Sequence, residues 1–162
     1  MKTLFIGGIK SGKSHHAEIF SLTLGSELIY LATTDAFDEE MKERIDQHQQ
    51  QRSTKFTTIE EPLKLYETLK QQKRPVLIEC ITLWINNMFY HNREAEILPE
   101  LHKILSLKTD MIFVLNDVGT GIIPTNALAR KFIDISGIVS QKIAQNCDEV
   151  YHCIAGLKQQ IK

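Results

Sequence analysis

Near the amino terminus, Gly7-Gly8-Ile9-Lys10-Ser11-Gly12-Lys13-Ser14 satisfies G-x-x-x-x-G-K-[ST] at every fixed position. This is the spacing of a phosphate cradle. Glycines let the backbone wrap closely and turn its N–H groups inward, and a helix starting near Lys13 adds the positive end of its dipole. In such a loop the lysine, Lys13, reaches the β- and γ-phosphates and the hydroxyl, Ser14, ligates Mg²⁺. The metal then needs a carboxylate from the end of a neighbouring buried strand. Glu79, which closes Val76-Leu77-Ile78, is the candidate. A carboxylate there would also suit the cap of a following helix, and the two roles are compatible.

A second group lies between Asp38 and Arg52, where Glu39, Glu40, Glu43, Arg44, Asp46, His48 and Arg52 crowd one short helical stretch. Arg44, His48 and Arg52 recur at i, i+4 and i+8 and so share a face. Two readings stay open for it. The face is solvated and inert, or it lies along a polyphosphate. In the second case the arginines hold phosphate oxygens and lower the histidine pKa, keeping a neutral, nucleophilic imidazole. His15 and His16 follow the cradle directly, so one should face the ligand and the other the packing. His91, His102 and His152 have no partner at metal-ligand spacing and read as solvated or satisfied.

These groups need a scaffold, and the chain supplies short apolar runs alternating with helical stretches. Strands are expected at Thr3–Ile6, Glu27–Leu31, Lys55–Ile59, Pro75–Glu79, Met111–Leu115 and Glu149–Ile154. Helices are expected at Lys13–Leu24, Asp38–Arg52, Pro62–Gln71, Thr82–Tyr90, Glu94–Leu107 and Asn126–Asn146. Gly156 predicts a hairpin turn into a last strand, Leu157–Ile161. Alternation of this kind predicts an α/β fold: an open, mostly parallel sheet with helices on both faces. Ligands of such sheets bind beyond the carboxyl ends of the strands, where both groups above fall.

With 162 residues, the chain reads as one domain, residues 1–162. Hydrophobic residues are 43% and charged residues 24%, which suits a packed globular domain rather than long disorder. Nineteen Lys+Arg against twenty Asp+Glu give a net charge of −1, which argues against a nucleic-acid or polybasic membrane binder. No apolar run has the length of a membrane span, and the first residues lead into Gly7-Gly8 rather than into a secretory leader. Three cysteines without a C-x-x-C spacing read as reduced thiols of a cytoplasmic protein.

Taken in order, further blocks accompany the cradle: Tyr30-Leu31-Ala32-Thr33, Asp38-Glu39-Glu40-Met41, and Arg44-Ile45-Asp46-Gln47-His48 with Arg52. Glu79-Cys80-Ile81-Thr82-Leu83-Trp84 with Asn87 follows, then Asp117-Val118-Gly119-Thr120-Gly121-Ile122-Ile123-Pro124, Leu128-Ala129-Arg130 and Asp148-Glu149-Val150-Tyr151. From Leu4 onward the chain resembles the bifunctional adenosylcobinamide kinase / adenosylcobinamide-phosphate guanylyltransferases of cobalamin assembly. The resemblance implies a single P-loop domain that phosphorylates adenosylcobinamide with ATP or GTP. It also implies transfer of GMP from GTP to adenosylcobinamide phosphate through a histidine–GMP intermediate, giving adenosylcobinamide-GDP. By the same resemblance His48 is the nucleophile, with Lys13 and Arg52 assisting. Ala32, Thr33, Thr34, Gln49, Arg52 and Glu79 join Gly7 to Ser14 around the nucleotide. Glu60 accepts from guanine, with Glu61 as second choice. Mg²⁺ sits on Ser14 and Glu79, and the assembly is a homotrimer.

This chain departs from the family at Lys10, where arginine is frequent, and at Asp117, where glutamate is common. It has Gln47 before His48, where some relatives carry a histidine pair. Alternatives remain on the residues alone: one activity without the other, a small-molecule kinase lacking a covalent step, or a GTP-binding module.

Overall fold

The computed structural model describes residues 1–35 and 56–162. The expected helix Asp38–Arg52, with Arg44, His48, Gln49 and Arg52, therefore lies outside the described residues. The elements in chain order are β1 (Lys2–Gly7), α1 (Lys13–Ser21), β2 (Leu28–Ala32), β3 (Phe56–Glu60), α2 (Leu65–Leu69) and β4 (Val76–Glu79). They continue with α3 (Ile81–Tyr90), α4 (Ile97–Ser106), β5 (Met111–Asn116), α5 (Ala127–Asn146), β6 (Glu149–Ile154) and β7 (Leu157–Gln160).

The strands form one sheet in the order β3-β2-β4-β5-β1-β6-β7. Every pairing is parallel except β6 with β7, which is antiparallel. The expected mostly parallel sheet with a terminal hairpin is therefore what the chain forms. Side chains alternate between the two faces of a strand, and the sequence exploits this. Leu4, Leu31, Ile78 and Phe113 enter one core, where α2 to α5 contribute Leu65, Trp84, Leu101 and Ile143. Their neighbours Phe5, Tyr30, Leu77 and Ile112 enter the other, beside Ala17 and Phe20 of α1 and its flank. Helices thus cover both faces. No helix among the described residues is long and apolar enough to cross a membrane.

Three helices differ from expectation. α1 stops at Ser21 rather than Leu24, because Thr23 and Leu24 donate to Phe20 and Ser21 three residues back and tighten the chain into turns. α2 starts at Leu65, not Pro62, because the Glu61 carboxylate takes the N–H groups of Leu63 (2.9 Å) and Lys64 (2.7 Å) into a separate turn. The expected Glu94–Leu107 helix divides into a 3-10 turn, Glu94–Glu96, and α4. Pro99 is the reason: it has no N–H for the Ala95 carbonyl and is tolerated only in a first turn, so the α-helix begins at Ile97.

Topology places the site. The chain leaves β1 into α1 on one face of the sheet and leaves β5 toward α5 on the other. Neighbouring strands whose connections part in this way open a crevice at their carboxyl ends. That crevice lies between Gly7 and Asn116, which are partners in register.

Candidate nucleotide site at the carboxyl rim of the sheet

The cradle is a tight loop between β1 and α1. Ser11 N donates to the Gly8 carbonyl at 3.2 Å, Lys10 has φ +56° and Gly12 φ +92°. Gly12 is the last residue before the helix, where its left-handed conformation would strain any larger residue. Ile9 to His15, Glu79 and Asn116 line a cleft of about 450 Å³. Lys13 is 7% exposed and donates from Nζ to the Gly8 carbonyl at 3.1 Å. That hydrogen bond holds the Lys13 charge inside the cradle. A Cβ on Gly7 would lie 2.6 Å from Ser11 Oγ, and Ser11 is buried.

The Ser14 hydroxyl donates to Glu79 Oε1 at 2.8 Å. Their strands of origin, β1 and β4, lie two strand spacings apart with β5 between them, about 10 Å. The pair thus joins the start of α1 to the end of β4 across the mouth of β5. The helix after Glu79 is capped by the next residue: Cys80 Sγ accepts from Leu83 N at 3.4 Å. Burial first, and the Glu79 charge second, push the Cys80 thiol up to about 12. It stays protonated near neutrality and is no nucleophile.

At the end of β2, Ala32 is in register with both Glu60 and Glu79, so three strand ends form one straight rim. Thr33 is fully buried. Its hydroxyl donates to the Cys80 carbonyl at 2.8 Å and accepts from Cys80 N at 2.9 Å, so this side chain locks two strand ends together. Thr34 follows it, half-buried. Glu60 is exposed at the end of β3, four strands from β1, or about 19 Å. Glu61 is engaged with Leu63 and Lys64 in its turn.

Asn87 and Asn116 act here without a role having been read for them from spacing, whereas His15 and His16 divide as their positions suggest. Asn87, fully buried on α3, donates from Nδ2 to the carbonyls of Thr33 (2.7 Å) and Pro62 (3.0 Å). It ties the loops after β2 and β3 to one helix. Asn116 faces the cleft with its backbone held by Thr82, whose Oγ1 accepts from Asn116 N at 2.7 Å. Its Oδ1 is buried with no hydrogen-bond partner among the described residues. His15 lines the cleft, whereas the His16 ring turns to the Gly156 carbonyl. His91 meets Asp35 at 3.1 Å, which anchors the chain where it departs toward His48. Among the described residues no cluster of three or more metal-ligating His, Cys, Asp or Glu exists.

Residues 3–161 match the family described as cobinamide kinase / cobinamide phosphate guanyltransferase. A bifunctional adenosylcobalamin biosynthesis protein of Pseudomonas aeruginosa is 35% identical, with all of this chain and 98% of that protein covered. A protein of the same description from Escherichia coli K12 is 33% identical, with both chains covered completely. In fold, the chain is similar to the crystal structure of the RadB recombinase at 15% identity. Its TM-score is 0.53, with 93% of this chain and 73% of that one covered.

Proposed function

Because the chain belongs to the cobinamide kinase / cobinamide phosphate guanyltransferase family, we propose that one cleft serves two successive group transfers. In the first, the γ-phosphoryl group of ATP or GTP passes to a hydroxyl of adenosylcobinamide. In the second, a ring nitrogen of His48 attacks the α-phosphate of GTP. An N–P bond forms, the bond to the β-phosphate oxygen breaks and pyrophosphate leaves. A phosphate oxygen of adenosylcobinamide phosphate then attacks the same phosphorus and releases the histidine, giving adenosylcobinamide-GDP. Splitting one displacement into two is what a covalent nucleophile contributes.

The observation that carries this reading is the convergence of Lys13, Ser14 and Glu79 on one cleft, with the Ser14–Glu79 hydrogen bond across it. A hydroxyl and a carboxylate oxygen are the hard donors that suit Mg²⁺. When bound, Mg²⁺ neutralises charge that builds on the phosphates. Lys13 holds the β- and γ-phosphates, and Gly7 to Ser14 orient the chain of phosphates along the rim. Glu60, on the same rim, receives the guanine N1–H and N2–H₂, a span comparable with an extended nucleoside triphosphate. Ala32 and Thr34 lie between, Gln49 and Arg52 serve the same nucleotide, and three copies assemble in the cytoplasm.

Incubating the protein with Mg²⁺ and GTP labelled at the α-phosphate tests the covalent step. An acid-labile, base-stable adduct is expected, and it should vanish in His48→Ala. An adduct that persists in that variant would remove His48 from the mechanism. Adenosylcobinamide with γ-labelled ATP or GTP tests the kinase step on its own, and Lys13→Ala should abolish transfer. Light scattering should return three times the protomer mass.

A further inference from the structure

The hairpin of β6 and β7 is far from the phosphate cradle in sequence but touches it at both ends. Where the cradle begins, a Cβ on Gly7 would lie 2.3 Å from the Cys153 carbonyl oxygen. Where it ends, a Cβ on Gly12 would lie 3.1 Å from Gly156 Cα. Between these points Gly156 N donates to the Ser11 carbonyl at 3.0 Å, and His16 Nε2 lies 2.8 Å from the Gly156 carbonyl oxygen. That oxygen is an acceptor, so His16 carries a proton on Nε2 in this arrangement. Ala155 (φ +51°) and Gly156 (φ +81°) form a two-residue turn with both residues left-handed, a rigid hairpin connection that matches strand twist.

We propose that His16 and the Ala155-Gly156 turn are positioning elements for the phosphate cradle. They draw the Ser11 carbonyl to the hairpin. Across a planar trans peptide the Gly12 N–H points the opposite way, so it is turned from the hairpin before any nucleotide arrives. A loop already ordered loses less conformational freedom on binding, and the difference appears as affinity. His16 acts through Gly156 and not on the reacting atoms. The inference rests on the cradle holding a nucleoside triphosphate, so its test includes an arm that needs no ligand.

In that arm, amide hydrogen exchange across residues 8–16 is followed in the ligand-free wild type, His16→Ala and His16→Gln. Exchange should accelerate by about fivefold or more in His16→Ala, the scale set by one hydrogen bond, while the melting temperature falls by no more than about 2–4 °C. His16→Gln keeps an N–H donor near the Nε2 position and should return exchange to within about twofold of wild type. In the second arm, the Kd for Mg²⁺–GTP should rise by about fivefold or more in His16→Ala, with kcat at saturation little changed. Unchanged exchange and Kd in His16→Ala would overturn the proposal, as would a defect that glutamine does not repair. Failure of the wild type to bind GTP or ATP would overturn the functional reading instead, and the exchange arm would still decide whether His16 holds the loop.

Discussion

Glu79 and Asn87 are both polar residues of the crossover around β4, and their substitutions should fail in different ways. Glu79→Gln keeps the shape of the side chain and its contact with Ser14 but removes the negative charge. Phosphoryl transfer should fall by about 10²-fold or more with the fold intact, the usual loss when one preorganised electrostatic partner is removed. Steady-state kinetics with circular dichroism as control measures it. Asn87→Ala should do the reverse of sparing the fold. It strips donors from the Thr33 and Pro62 carbonyls in the interior, at about 1–3 kcal/mol for each unsatisfied group. Asn87→Asp should be worse than alanine, because it replaces the donor with a buried charge. Urea denaturation gives both values. The difference was only half legible in the amino-acid sequence. A carboxylate at the end of an apolar run announces itself through the cradle that needs it. An asparagine inside Trp84-Ile85-Asn86-Asn87-Met88 does not reveal which of the two amides is buried.

The elements divide along a similar line. Strands were legible because apolar runs of β-branched and aromatic residues have few other uses, and their observed ends fall within about two residues of those expected. Helix starts were less so, since they depend on which carboxylate reaches which N–H. Glu61 moved one start by accepting two N–H groups, and Pro99 moved another by having no N–H to give, and a periodicity registers neither. α5 begins one residue after the expected Asn126, which instead caps it: Asn126 Oδ1 accepts from Ala129 N at 3.0 Å. Asn126→Ala should therefore cost about 1 kcal/mol. For a chain of this length that lowers the melting temperature by about 2–4 °C in calorimetry. The rim of strand ends was predictable from the parallel topology, whereas the meeting of the terminal hairpin with the cradle was not. Nothing in Ala155-Gly156 alone says which loop it will touch.

For the molecule as a whole, two buried cores and a reduced set of thiols give a simple chemical signature. Cys147 and Cys153 are buried, and burial is also the main cause that pushes Cys147 up to about 12. Cys80 is held at a similar value. Raised thiol pKa values mean little thiolate near pH 8, so the native protein should react slowly with a thiolate-specific reagent. All three cysteines should react on unfolding in guanidinium, and mass spectrometry can count the adducts. One fast-reacting thiol in the native state would contradict this packing. The sheet order has a further consequence, for a growing chain. β1 is made first, yet among the described residues its strand neighbours are β5 and β6, more than a hundred residues downstream. At about 5–20 residues per second of synthesis, the β1 strand waits several seconds to tens of seconds for a partner. Until β5 and β6 emerge, the apolar strand that carries the phosphate loop has no sheet to join, and the earliest part of the site to be synthesised is among the last to be assembled.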